Sequence, residues 1–443
     1  MVKLAGTFSH LQPFRALVLG DFMLDSYTTG RVKRISPEAP VPVMEVIKQE
    51  SRPGGAGNVV LNLTTLGATV FAVGRVGSDA QGAELRQCLA AADTRALLVE
   101  PNYKTPVKNR LIADSQQLIR IDFETITPIS LELEEEIIEQ LYILIPQVQV
   151  VAISDYGKGF LSNRVIATAL QIAKKSNIAA IVDPKGADFT KYKGATVLKP
   201  NLSEAYTAAK CSPSTPLDFV AKELSSLSEI LLITRSEAGI SIFEADGKRS
   251  DFPVRSKEVK DVTGAGDTVL AMICFGLANG LDIHLAAQLA NLAAGLAIER
   301  LGCAQITLSE LAQRLLEFDS DTKIFDESHT YALHQVLQGK RYALLVLDKG
   351  QNMTTALFRT IRQLSNQNGQ ELIIYVRDCD PNDEFIHLLS SLHEVDYIIL
   401  QTESLKNLCN AIHPHEIYLL EGDTAVRFDR AKELLDSLLK QSV

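Results

Sequence analysis

The sequence predicts an α/β fold: a doubly wound parallel sheet with a small sheet standing off it, followed by a second, shorter Rossmann-like α/β unit. Three observations carry this. Short apolar runs rich in β-branched residues recur through the first part of the chain, amphipathic stretches of helical period lie between several of them, and two segments alternate apolar and polar positions instead.

Taken in order, the buried-strand runs are Ala16–Leu19, Val70–Val73, Val150–Ser154, Ala179–Val182, Ala195–Leu198 and Ile230–Thr234. Each is too short for a helix and apolar throughout, as a strand covered on both faces must be. Helical patterns run over Ala83–Ala92, Asn163–Ser176 and Leu217–Leu227. Ser26–Gln49 and Thr105–Phe123 alternate, which predicts antiparallel strands exposed on one face. After the helix over Ser309–Phe318, periodicity fails in the polar stretch Asp319–Ser328, so the first domain is expected over 1–318 and a linker with a connecting helix over 319–340. The second domain, 341–443, shows strands at Tyr342–Leu347, Glu371–Val376, Val395–Leu400 and Glu416–Leu420, with helical patterns at Thr354–Leu364, Glu384–Leu392 and Glu403–Ile412.

At 443 residues and 46% hydrophobic, the chain can build two cores. The 44 Lys and Arg against 54 Asp and Glu leave a net charge of −10, which excludes a general affinity for nucleic acid or an anionic membrane. The 6 cysteines are scattered, with no CxxC pair, as in a reducing compartment. No signal peptide shows over Met1–Pro13 and no run is long enough to span a bilayer, so a cytoplasmic location is expected.

The strongest chemical signal is Asp261-Val-Thr-Gly-Ala-Gly-Asp267, running straight into the apolar helix Thr268–Leu277. Gly264 and Gly266 allow successive N–H groups to converge on one point, and the helix start adds its positive dipole end. Alone, this could be a tight turn. With Asp261, Thr263 and Asp267 at fixed spacing it predicts a phosphate site. A carboxylate beside an anion favours proton abstraction from an attacking hydroxyl over binding.

This segment resembles the closing motif, D-T-x-G-A-G-D, of the ribokinase-like (PfkB) carbohydrate kinases, with Val262-Thr263 replacing the usual Thr-x order. The family's Gly-Gly and following Asn appear as Pro53-Gly-Gly-Ala-Gly-Asn58. Further runs resemble its heptose 7-phosphate kinase branch: Gly20–Asp25, Arg34–Val43, Gln116–Asp122, Ser154–Gly159, Asp183–Gly186 and Lys199–Glu204. The likeness extends from about Arg15 to Leu308. It implies ATP- and Mg²⁺-dependent phosphorylation of the anomeric hydroxyl of D-glycero-β-D-manno-heptose 7-phosphate, with Asp267 as base and Gly264, Ala265 and Gly266 as oxyanion-type donors. Another sugar of the family, or a silent sugar- or nucleotide-binding regulator, are the alternatives.

Asp21 and Asp25 follow a buried strand, where open α/β sheets bind ligands, and are expected to hold sugar hydroxyls. Gly54 and Gly55 would let the backbone approach the sugar, with Asn58 adding an amide. The resemblance also puts Asp155 on the sugar side, and Lys199, Asn201, Ser203, Glu204, Thr234, Ser236, Gly239, Asp261 and Asn291 on the nucleotide side, with Glu204 near Mg²⁺ through water. Asn201 and Glu204 equally suit a helix capping box. A distal phosphate needs a basic clamp, for which Arg34, Lys108, Arg110, Arg120, Lys158 and Lys185 are candidates. The small sheet should act as a lid and, in this family, as the surface of a homodimer.

The second domain resembles, in Val395–Leu400 and Ile417–Asp423, the adenylyltransferase domain attached to many relatives, whose HxGH motif follows its first strand. Here that position reads Asp348-Lys-Gly-Gln-Asn-Met-Thr-Thr355, without histidine, and His413-Pro-His415 follows a different helix. The domain is therefore expected to lack that activity and to hold no metal.

Overall fold

The computed structural model describes residues 11–113, 116–254, 259–300, 302–319, 324–325, 337, 340–347, 353–365, 370–377, 384–401, 405–421 and 424–428. They form two compact units, Gln12–Thr307 and the described residues from Leu308 on, so the helix at Leu308–Asp319 groups with the second unit, whereas the boundary was expected after 318.

The strands of the first unit are β1 (Arg15–Gly20), β2 (Phe22–Ile35), β3 (Pro42–Gly55), β4 (Thr69–Gly77), β5 (Leu97–Glu100), β6 (Val107–Ala113), β7 (Gln116–Phe123), β8 (Val150–Ser154), β9 (Ala179–Asp183), β10 (Ala195–Leu198), β11 (Ser228–Thr234), β12 (Ile240–Glu244) and β13 (Arg249–Phe252). Its main helices are α1 (Ala56–Thr65), α2 (Ala80–Cys88), α3 (Leu131–Leu144), α4 (Asn163–Lys175), α5 (Leu202–Ala208), α6 (Leu217–Leu224), α7 (Ala265–Ala278) and α8 (Ile283–Ile298). Nine strands make one sheet in the order β13-β12-β11-β10-β9-β8-β1-β4-β5, parallel except for the β12 hairpin strand. Every predicted buried-strand run lies in it. The short edge strands β5, β12 and β13 carried no comparable apolar run.

Leu17, Leu19, Val151 and Ile153 face α3, α4 and α6 on one side of the sheet. On the other, α1, α7 and α8 pack together. Helix α7 is buried from Asp267 to Gly276, which explains why its sequence is apolar all round.

The small sheet runs β3-β2-β6-β7. Its two hairpins are antiparallel as expected, but β2 and β6 pair in parallel, so the sheet is mixed. Only Asp21 separates β1 from β2, which makes the small sheet a direct continuation of a central strand.

In the second unit, α9 (Leu308–Asp319) precedes β14 (Ile324–Phe325), β15 (Tyr342–Leu347), α10 (Thr355–Ser365), β16 (Glu371–Arg377), α11 (Glu384–Ser391), β17 (Tyr397–Gln401), α12 (Leu405–Ile412), β18 (Glu416–Glu421) and β19 (Thr424–Phe428). The sheet order is β14-β17-β16-β15-β18-β19, with only β19 antiparallel. Leu344 and Val346 face one core, Leu345 and Leu347 the other. Two strands fall where none was expected: β14 inside the stretch read as linker, and β19. Asp348–Asn352, Gly422, Asp423 and Cys379 lie outside the described residues. No helix among the described residues is long and apolar enough to cross a membrane.

Candidate active site

Strand register lines up one row of residues at the carboxyl ends of β1, β8, β9 and β10. Gly20 is level with Ser154, and Ser154 with Asp183. The Asp21 N–H donates to Ser154 O at 3.1 Å, Asp155 N–H to Asp183 O at 3.0 Å, and Lys199 N–H to Val182 O at 2.8 Å. The chain winds one way from β1 to β4 and β5 and the other way through β8, β9 and β10. Between β1 and β8 the winding reverses, and it is outside such strand ends that a crevice opens.

Helix α7 begins beside this row. Its N-cap, Gly264, is left-handed (φ 78°), and no side chain caps it. Asp267, 2% exposed, accepts from Asn58 Nδ2 on Oδ2 at 2.9 Å and from the Tyr156 hydroxyl on Oδ1 at 2.8 Å. Burial pushes its pKa up to about 7, with the Asp183 charge adding to the rise and Asn58, Tyr156 and Lys199 opposing it. A carboxyl balanced there can take up a proton at neutral pH. A Cβ on Gly264 would stand 2.7 Å from Asn58 Nδ2. One on Gly266 would stand 3.7 Å from Lys199 Nζ, which pairs with Asp183 at 2.9 Å.

Two expectations about this loop need correction. The Ala265 N–H is engaged by Val262 O at 3.3 Å, whereas the N–H groups of Gly264 and Gly266 meet no backbone acceptor among the described residues. Asp261 is occupied as a brace: Oδ1 accepts from Thr263 N at 2.9 Å and Oγ1 at 2.7 Å, and Oδ2 from Gly302 N at 2.9 Å.

Across the row, Asp21 Oδ2 accepts from the N–H groups of Tyr156 (2.8 Å) and Lys158 (3.0 Å), while its Oδ1 is buried with no hydrogen-bond partner among the described residues. Burial raises its pKa. Asp25 is not at the end of β1 but on β2, opposite Arg52 and beside Lys108, where it pairs with Arg110 at 2.5 Å. The Cys303 thiol donates to its other oxygen at 3.6 Å. Space at the two glycines is already filled: a Cβ on Gly54 would strike the Asp25 carboxylate, and one on Gly55 (φ 55°) would lie 2.7 Å from Asp21 O and 3.3 Å from the Tyr156 ring. Their small size admits those residues to the site. Asn58 likewise turns its amide N–H to Asp267.

The basic candidates do not form one group. Lys108 Nζ lies 5.0 Å over the Tyr156 ring, and burial, then the charges of Lys158 and Arg120, lower its pKa. Lys108 and Arg120 stand on the paired strands β6 and β7, where Lys108 is level with Asp122 and Arg110 with Arg120. Lys158 pairs with Glu124 (2.6 Å) and Arg120 with Asp122 (2.8 Å). Lys185 instead pairs with Glu204 at 2.7 Å, at the start of α5. Arg34 is exposed near the far end of β2, nine residues and on the order of 30 Å of extended strand beyond Asp25. Asp155 binds no open space: it accepts from Gly157 N, Lys191 Nζ and the Tyr192 hydroxyl, each at 2.7 Å.

Asn201 and Glu204 do make the reciprocal capping box at the start of α5. Ser203 and Ser236 are exposed nearby, and Thr234 N–H donates to Pro200 O at 3.1 Å. Gly239 (φ 81°) is packed against the Phe252 carbonyl, leaving no room for a Cβ. Asn291, expected to face a base, directs its Nδ2 to Pro253 O (2.7 Å) and Phe252 O (3.3 Å), closing the loop after β13.

Three residues escaped sequence reasoning. Tyr156 and Asp183 stand in runs already marked at strand ends, but no local signal says that the phenol reaches a residue 111 positions later. Arg75, 1% exposed, gave no signal at all; it pairs with Glu100 at 2.5 Å, lies 4.0 Å over the Tyr103 ring and donates to Lys158 O at 2.9 Å, anchoring the loop behind Asp21.

Comparison with known proteins bears on this arrangement. A sequence model of the pfkB family carbohydrate kinases matches residues 15–310. The chain is 36% identical to the bifunctional protein HldE of Geotalea uraniireducens, over 98% of this chain and 93% of that protein. It is 37% identical to the protein of the same name from Aliarcobacter butzleri, over 94% and 93% respectively. Among solved structures, Arabidopsis thaliana ribokinase complexed with ribose and ATP superimposes with a TM-score of 0.56 at 18% identity, covering 69% of this chain and 99% of that one. Escherichia coli phosphofructokinase-2 gives 0.56 at 16% identity over the same shares. The fold is thus ribokinase-like, and the chain belongs to the pfkB family of carbohydrate kinases as a sugar kinase.

Proposed function

We propose that the chain transfers the γ-phosphoryl group of ATP to the anomeric hydroxyl of D-glycero-β-D-manno-heptose 7-phosphate, giving the 1,7-bisphosphate used for ADP-heptose and lipopolysaccharide core synthesis. The observation that carries this reading is Asp267: a buried carboxyl with a pKa of about 7, held by two donors beside an uncapped helix start. Asp267 takes the hydroxyl proton, the sugar oxygen attacks the γ-phosphorus in line, and the bond to the ADP oxygen breaks. The Gly264 and Gly266 amides face the charge on the transferring group. The unpartnered Asp21 Oδ1 accepts from a sugar hydroxyl, and Lys108, with Lys158 and Arg120, holds the 7-phosphate.

ATP arrives with Mg²⁺. Among the described residues no three His, Cys, Asp or Glu gather for a metal, but a nucleotide-bound Mg²⁺ keeps its waters and needs only one or two carboxylates. Glu204 and Asp183 fit that need: Lys185, two residues beyond Asp183, pairs with Glu204 at 2.7 Å and brings the two acids to the same strand ends. Mg²⁺ held there would supply charge neutralisation for the nucleotide phosphates. Lys199 and Asn201 complete the nucleotide side.

The heptose assignment is supported by the branch-like runs and by relatives named HldE. For the second unit we propose no adenylyltransferase activity, on the missing histidines. A second copy of the chain is the proposed occupant of the lid, whose Ile47 (61% exposed), Phe123 (57%) and Ile119 (54%) are apolar and uncovered.

The test is ADP release across heptose 7-phosphate, the unphosphorylated heptose, ribose and fructose phosphates, with Asp267→Asn alongside. Turnover should be highest with heptose 7-phosphate and fall by orders of magnitude in the variant, which still binds ATP. A better sugar in the panel reassigns the substrate. ATP binding without sugar-dependent turnover makes the protein a regulator, and full turnover in the variant removes Asp267 as the base.

A further inference from the structure

One residue touches both acids of the proposed site. The Tyr156 hydroxyl donates to Asp267 Oδ1 at 2.8 Å, and its backbone N–H donates to Asp21 Oδ2 at 2.8 Å. The ring is fixed from two sides. Gly55 lies against its edge, where even a Cβ would come within 3.3 Å, and the Lys108 ammonium lies 5.0 Å from its centroid. The backbone behind it is pinned, since Asp155 N–H donates to Asp183 O at 3.0 Å and Asp155 itself holds Gly157 N at 2.7 Å.

We infer that Tyr156 is a positioning residue for phosphoryl transfer, holding the base Asp267 and the sugar-binding Asp21 in one frame and keeping Asp267 ionised through its hydroxyl. The inference rests on Asp267 being the base. Each Asp267 oxygen then accepts one fixed hydrogen bond, from Tyr156 on one side and Asn58 on the other, so the carboxylate cannot rotate about its last bond, and its remaining lone pairs keep constant directions. The phenol stays a donor throughout: burial first, then the Asp267 charge, hold its own proton well above the ordinary range. A hydroxyl that only donates favours the charged form of its partner, against the burial that disfavours it.

The experiment is a pH profile of kcat/KM for the full chain and for Tyr156→Phe, with Asp267→Asn measured in parallel. Loss of the donor should move the acid limb upward by about one pH unit, costing roughly ten-fold at about pH 6, with activity returning to within about two-fold of the parent above both limbs. A residue that merely fills space would lower activity equally at every pH. An unmoved limb, or a uniform loss, overturns the inference. Asn58→Ala supplies the same reading from the other oxygen if Tyr156→Phe does not fold: a limb that moves up supports a donor-held base, and one that stays overturns it. An inactive Asp267→Asn together with an unmoved limb removes only the role of Tyr156, whereas an active Asp267→Asn removes the base itself.

Discussion

Replacing Asp267 by Asn should stabilise the protein at pH 8 while abolishing its turnover. Burial lifts the folded-state pKa of this carboxyl from 3.8 to about 7. The group is neutral in both states below its unfolded value, so folding carries no charge penalty there. As pH climbs the unfolded chain ionises first, stability falls, and the loss is complete once pH passes the folded value. That rise corresponds to about 4 kcal/mol at pH 8. An amide carries no charge, but its NH₂ cannot accept from Asn58 or Tyr156, and one lost hydrogen bond takes back about 1–2 kcal/mol. The net gain is about 2–3 kcal/mol at pH 8 and close to zero near pH 4.5. Urea unfolding of both proteins at the two pH values measures it. A gain of equal size at both would refute burial of charge as the cause, and no gain at pH 8 would refute the raised pKa.

Two further substitutions probe the scaffold. Gly264→Ala places a side chain in a left-handed conformation, at a cost of about 1–2 kcal/mol, and drives it to within 2.7 Å of Asn58 Nδ2, so thermal unfolding should come earlier and kcat should fall at least about ten-fold. Arg75→Met leaves Glu100 without its cation and the carbonyl of Lys158 without its donor; denaturant unfolding should show a loss of about 3–5 kcal/mol, with a raised KM for the sugar.

The central sheet was legible because a strand covered on both faces must be apolar along its whole length, and Ala16–Leu19 or Val150–Ser154 can be little else. The anion loop was legible because Gly264 and Gly266 serve a backbone that other residues cannot follow. What stayed hidden depends on distance along the chain. Asp25 reads as a strand-end acid until β2 is seen to start at Phe22 and carry it into the small sheet. Nothing in Asn291 reveals that the backbone at Phe252–Pro253 will come to meet it. The parallel pairing of β2 with β6 was equally unreadable, since alternation fixes which face a residue occupies and says nothing of its neighbour's direction. Strand β14, two residues long, is held by β17 alone among the described residues and leaves no periodic trace.

Strand β2 keeps β6 as a partner only as far as Gly30, and its pairing with β3 slips at Thr29/Gly30 and again at Val32/Arg34. Each slip bends the strand and increases its local twist. Among the described residues the outer arm, from Arg31 to Ile35, is paired with β3 alone, and the inner arm is held on both edges. The Asp25 carboxylate, on the doubly held stretch and paired with Arg110, is thus insulated from distortion of the arm beyond it.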